Sequence, residues 1–191
     1  TVITLDMPAG TAGADFGQAL AIGDVMGDGT NDLVVGAPEA MVAATTAGRT
    51  LVFTGPAFGL AATVTSPAPG AGRQFGWTVA TANIDGTGKA DVVVGEPNAP
   101  VGALVEAGKA YVYLSSGVAL TLSKTLTEPT PELSAEFGRT LAAGDVNNDG
   151  FGDIASNVAD GAPMGAVDAG EVFVFFGPAL GAPTQLHEPL P

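Results

Sequence analysis

The stretch FGRTLAAGDVNNDGFGDIA, residues 137–155, decides how this chain folds, because the chain carries its plan three times. The plan returns as FGWTVATANIDGTGKADVV at 75–93 and as FGQALAIGDVMGDGTNDLV at 16–34. Each copy runs from a Phe-Gly pair through a short apolar stretch and a nine-residue turn rich in Asp, Asn and Gly to an aliphatic run. Phe16, Phe75 and Phe137 stand about sixty positions apart, and self-similarity at a fixed period marks a repeat architecture.

The repeat extends beyond these stretches. Pro8, Pro67 and Pro129 each stand eight residues before their Phe, and Pro189 has the same phase. Ahead of each Pro lies a β-prone segment: Val2–Leu5, Ala62–Thr65, Leu120–Leu126 and Thr184–Leu186. Short strands are expected after each Phe-Gly (Trp77–Ala80, Thr140–Ala143) and after each turn (Leu33–Val35, Val92–Val94). Gly48, Gly108 and Gly170 then open strands over Thr50–Phe53, Ala110–Leu114 and Val172–Phe176. That makes four strands per repeat, with Gly/Pro turns and no amphipathic helix.

The expected fold is all-β: a β-propeller-type array of three four-stranded antiparallel blades in a single repeat domain, 1–191. Residues 1–8 read as an extra N-terminal strand, 9–67 as blade 1, 68–129 as blade 2 and 130–191 as blade 3. A β-sandwich would need the thrice-repeated Pro–Phe–turn spacing to be coincidence. Closed propellers use about four to eight blades. Three blades are therefore expected to be closed by oligomerisation, two copies making six, or to be part of a longer propeller.

Composition narrows the function. The 191 residues carry net charge −14 with only six Lys plus Arg, which argues against nucleic acid and anionic membrane and suits divalent cations. No apolar run reaches the roughly 20 residues that span a bilayer, so membrane insertion is not expected. There is no Cys, hence no disulfide or thiolate metal site. The start, Thr1–Leu5, lacks the charged and apolar regions of a signal peptide and reads as a mature or excised segment.

The turns are the candidate chemistry. Asp145, Asn147, Asp149 and Asp153 place side-chain oxygens at positions 1, 3, 5 and 9; Gly150 at 6 permits the bend, and Phe151 at 7 offers its carbonyl. The second turn keeps oxygens at Asn83, Asp85, Thr87 and Asp91, with the Lys89 carbonyl at 7, but has fewer carboxylates. The first has Asp24, Asp28, Asp32 and the Thr30 carbonyl, while Met26 replaces the oxygen at position 3. Hard oxygen donors without His or Cys suit Ca²⁺ rather than zinc or copper. An EF-hand is excluded, because position 12 is Val35, Val94 or Ser156 and the flanks are strands. Asp, Asn and Gly also make good turns without any ion. The threefold recurrence favours Ca²⁺, with the third turn strongest, and an ion would relieve repulsion among the eight Asp residues.

These residues resemble the FG-GAP repeat, the blade unit of integrin α-subunit propellers. Phe16-Gly17 with Gly36-Ala37-Pro38 gives the motif, Phe75-Gly76 with Gly95-Glu96-Pro97 is close, and the third copy departs, with Asn157-Val158-Ala159 in place of Gly-Ala-Pro and Gly161-Ala162-Pro163 four residues late. The resemblance implies Ca²⁺ in these turns, an extracellular or cell-surface setting, and adhesion or binding of a protein or glycan ligand. No Arg-Gly-Asp sequence is present. The loops Glu39–Ala47, Pro97–Ala107 and Asp160–Ala169 are candidate binding surfaces or mere connections.

Two other functions compete. A propeller-type hydrolase or lyase would need the lone His187 for a Ser-His-Asp triad, or two of Glu39, Glu96 and Glu106 converging on a cleft. A spacer of a larger secreted protein would need no ligand at all. Trp77, Arg73 and Arg139 are the residues expected at an interface, with Trp77 expected between blades.

Overall fold

Gly and Pro punctuate apolar runs too short for helices, and among the described residues the chain forms strands and no helix. The computed structural model describes residues 2–8, 13–158 and 170–186. Blade 1 consists of β1 (Ala19–Gly23), β2 (Asp32–Ala37), β5 (Arg49–Thr54) and β6 (Gly59–Val64), with a small hairpin, β3 (Met41–Val42) and β4 (Thr45–Thr46), in the loop between its second and third strands. Blade 2 consists of β7 (Thr78–Ala82), β8 (Asp91–Glu96), β9 (Lys109–Ser115) and β10 (Leu120–Leu126). Blade 3 consists of β11 (Leu141–Gly144), β12 (Asp153–Val158), β13 (Glu171–Phe175) and β14 (Thr184–Leu186). Each is an antiparallel meander whose spatial order follows the chain. The first strands β1, β7 and β11 lie side by side, so the blades stack face to face with blade 2 in the middle.

Blade 2 explains its own sequence. Alternate residues of a strand point to opposite faces, and here both faces are covered. Val92, Val94, Tyr111 and Tyr113 pack toward blade 1 around Phe75. Val93, Ala110 and Val112 pack toward blade 3 around Phe137. A strand buried on both sides needs an unbroken aliphatic run, which Val92–Val94 supplies. Phe75 and Phe137, both fully buried, each form the centre of a joint. Phe75 meets the Tyr111 ring at 5.7 Å between centroids, and Phe137 meets the Phe175 ring edge-on at 6.0 Å.

Three expectations are corrected. Residues 2–8 form no strand: they have no ladder partner among the described residues, and Leu5 and Met7 instead pack onto the outer face of blade 1. The first strand of blade 2 spans Thr78–Ala82 rather than Trp77–Ala80, because Gly76 at φ 91° turns the chain just before it. Trp77 is half-buried rather than enclosed; the Arg139 guanidinium of blade 3 covers its ring at 5.4 Å.

Candidate functional site

Each acidic turn joins the first two strands of its blade, and its side chains fold inward on backbone N–H groups. In the third turn Asp145 accepts hydrogen bonds from the N–H groups of Asp149 (3.1 Å) and Gly150 (2.9 Å). The Asn147 amide oxygen also accepts from Asp149 N–H at 3.0 Å, and Asp149 accepts from Phe151 N–H at 2.9 Å. The first turn repeats this with Asp24 accepting from Asp28 and Gly29 at 3.0 and 2.9 Å, and Asp28 from Thr30 at 2.8 Å. In the second, Asn83 accepts from Gly88 at 3.1 Å and Asp85 from Thr87 at 3.0 Å. Positions 4 and 6 take left-handed backbone: Gly27 and Gly29, Gly86 and Gly88, Asn148 and Gly150. That conformation suits Gly and tolerates Asn, which explains the residue types there.

Position 9 behaves differently. Asp32, Asp91 and Asp153 are buried, and both oxygens of each are held by the backbone. Asp91 accepts from Ile84 N–H at 2.8 Å inside its turn and from Ser115 N–H at 2.8 Å at the end of β9. Asp153 bridges Val146 N–H (2.9 Å) and Gly177 N–H (3.0 Å), and Asp32 bridges Met26 N–H (2.7 Å) and Gly55 N–H (3.2 Å). This carboxylate staples the turn to the third strand's exit. Burial raises the Asp91 carboxyl above its ordinary pKa, against the lowering effect of those N–H donors.

The donor set is therefore oxygen only: carboxylates, an Asn amide or a Thr hydroxyl, and backbone carbonyls. Such a set fits a hard cation such as Ca²⁺. A carboxylate oxygen that accepts one N–H keeps a further lone pair, so the turn bonds and an ion are compatible. Asp145, Asn147, Asp149, Asp153 and the Phe151 carbonyl would hold it in the third turn; a bound ion would supply charge neutralisation and rigidity. Among the described residues, no three carboxylates or imidazoles lie close enough to form a metal cluster by themselves. Any ion in these turns must draw on amide and carbonyl oxygens too.

The turns are also linked to one another. The position 8 N–H of each turn donates to the position 1 carbonyl of the preceding one: Ala90 to Asp24 at 2.9 Å, Gly152 to Asn83 at 2.7 Å. The position 7 side chain lies over the position 4 Gly of the preceding turn, Lys89 over Gly27 and Phe151 over Gly86. Sequence reading missed this linkage. The signal was there, in the pairing of Gly at position 4 with a large residue at position 7 one repeat later.

The carboxylates proposed for hydrolysis have separate partners. Glu39 accepts from Gln74 Nε2 at 2.9 Å, and exposed Glu106 accepts weakly from Ser134 Oγ at 3.4 Å. Glu96 is wholly buried; Tyr111 Oη and Ser66 Oγ donate to its Oε2 at 2.6 and 3.0 Å, while Oε1 has no partner. Burial raises its pKa. His187 and the whole loop Asp160–Ala169 lie outside the described residues. Of the other two loops, the ends serve the joints: Phe75 N–H donates to Ala47 O at 3.1 Å and Phe137 N–H to Ala107 O at 3.0 Å.

Comparison with known proteins agrees with this geometry. The FG-GAP repeat matches at residues 16–53, 75–113 and 137–175, each match running from the Phe-Gly corner to the end of the third strand. Integrin alpha-V of Gallus gallus is 34% identical over 185 residues, covering 91% of this chain and 16% of that protein. Integrin alpha-5 of Xenopus laevis is 31% identical over 168 residues, 85% of this chain and 15% of that protein. Integrin alpha-PS5 of Drosophila melanogaster is 35% identical over 107 residues, 56% of this chain. The chain thus spans about a sixth of the length of integrin alpha-V and of integrin alpha-5. Three matched repeats in three four-stranded blades make this chain a member of the FG-GAP repeat family, an integrin-like β-propeller array.

Proposed function

We propose that the chain is a calcium-binding FG-GAP module of an extracellular or cell-surface protein, acting in adhesion or protein–protein interaction, with Ca²⁺ holding its blade turns. The observation that carries the reading is the build of the turns: oxygen donors at positions 1, 5 and 9 in all three, tied to one another through Ala90 N–H and Gly152 N–H. An ion at one turn would stiffen the joint to the next. The integrin alpha relatives support the interaction role, and the partner is a protein or glycan ligand rather than a nucleic acid. The separate partners of Glu39, Glu96 and Glu106 favour binding over hydrolysis.

Calorimetric titration with Ca²⁺ tests the reading. Heat of binding is expected with at least one saturable site, the third turn filling first. Asp149→Asn, which removes a charge from an exposed turn residue, should weaken that site about tenfold, in line with the graded dependence of Ca²⁺ affinity on ligand charge. A titration with no saturable heat, together with no displacement of terbium luminescence by Ca²⁺, would reject the calcium reading.

A further inference from the structure

The two inner joints share one close approach. Gly36 of blade 1 faces the carbonyl of Gly76 in blade 2, and Gly95 of blade 2 faces the carbonyl of Gly138 in blade 3. A Cβ on Gly36 or Gly95 would stand closer than 3.0 Å to that backbone oxygen, a separation real Cβ atoms do not show. Thr78 Oγ1, opposite Gly95 in the β7–β8 register, donates to the Gly138 carbonyl at 2.7 Å and fixes the pose. The Gly-Ala-Pro glycine and the Phe-Gly glycine thus form one device: the first leaves room for the carbonyl of the second, one blade on.

Blade 3 lacks the first half of that device. Four residues after its position 9 Asp, where blades 1 and 2 have Gly36 and Gly95, it has Asn157. The Asn157 amide oxygen accepts from Thr140 N–H at 2.9 Å, and Thr140 is the counterpart of Thr78, which lies opposite Gly95 in blade 2. The rest of that face is still shaped for a neighbour. Among the described residues it has a mostly apolar cavity of about 130 Å³, lined by Ala142, Gly144, Val146, Ala155 and Val174 together with buried Asp153, and Val146 is 68% exposed. At the opposite end, Leu5 and Met7 occupy part of the outer face of blade 1.

We propose that Asn157 is an assembly stop: its Cβ excludes any further blade, including blade 1 of a second copy, from seating on blade 3 in the pose of the inner joints. The expectation that two copies close a six-bladed ring by repeating those joints is thereby replaced. A blade arriving from elsewhere in a longer chain has to seat differently, shifted away from Asn157.

Two measurements decide it. Sedimentation equilibrium of the full chain in Ca²⁺ should give the monomer mass up to millimolar concentration, unchanged by Ala155→Glu on the open face. A dimer or larger species that Ala155→Glu dissolves would overturn the proposal. Gly95→Ala places the same Cβ in an inner joint and should lower the melting temperature by about 2–12 °C through overpacking. Asn157→Ala, which keeps the Cβ at the open face, should stay monomeric and lose much less. If Gly95→Ala melts like the wild type, a Cβ at this position tolerates a neighbouring blade and the stop does not exist.

Discussion

The joint between blades 2 and 3 and the open face of blade 3 present equivalent positions to opposite surroundings. Ile84, position 2 of the second turn, is buried against blade 3, whereas Val146, the same position one repeat later, is 68% exposed. Gly95 lies under a neighbouring carbonyl; Asn157 bonds back to its own blade. The difference teaches that the stability of this array resides in its joints. A blade by itself is a small sheet with two apolar faces, and only stacking removes them from water.

The comparison can be broken most severely at the joint's centre. Phe137→Ala empties a fully buried site between blades 2 and 3 and should cost about 3–5 kcal/mol. Phe16→Ala, at the partly covered outer face of blade 1, should cost clearly less in the same denaturant titration. Equal losses would mean that the end blade is as tightly enclosed as the joint.

A second pair sharpens it. Ile84→Ala should cost about 2–4 kcal/mol, and Val146→Ala should fall within about 0.5 kcal/mol of the wild type, because one side chain is enclosed and the other faces water. Urea midpoints of the two variants measure the contrast directly.

Within a turn, positions 9 and 3 offer a third contrast. Asp91→Ala strands the N–H groups of Ile84, Asp85 and Ser115 and should cost about 1–3 kcal/mol in EGTA. Asp85→Ala loses one bond, to the exposed Thr87 N–H, and should cost under about 1 kcal/mol in EGTA. Calcium should enlarge both losses.

Much of this was legible in the sequence. Strand positions follow from short apolar runs between Gly and Pro, and blade order follows from the repeat. The segment at 2–8 was misread because β-prone residues form a strand only where a ladder partner exists, and sequence carries no such information about a neighbour. The acidic turns were found by composition. The stapling role of Asp32, Asp91 and Asp153 was not, since it depends on contact with Gly55, Ser115 and Gly177, about twenty-four residues away. Glu96 shows the same limit: nothing in its neighbours announces that it is enclosed with Tyr111 and Ser66.

A pH dependence is expected as well. Burial raises the Glu128 carboxyl to about 7, with the charges of Glu132 and Glu171 adding to it. The folded state therefore holds this proton more tightly than the unfolded chain. That contribution is complete below the unfolded value of 4.5 and is lost as pH rises toward about 7. In EGTA, stability should decline across that window, and Glu128→Gln should flatten the decline. An unchanged slope in the variant would assign the pH dependence to other groups.

Thermal unfolding in excess Ca²⁺ and in EGTA, followed by circular dichroism, tests the central claim most directly. With free Ca²⁺ at about a hundred times a site's dissociation constant, linkage adds about 2.7 kcal/mol, a rise of about 5–10 °C for a chain of this size. Asp145→Asn combined with Asp149→Asn should remove much of that rise while leaving the EGTA melt nearly unchanged. Identical melting curves in Ca²⁺ and EGTA would contradict the account and leave the acidic turns as backbone staples alone.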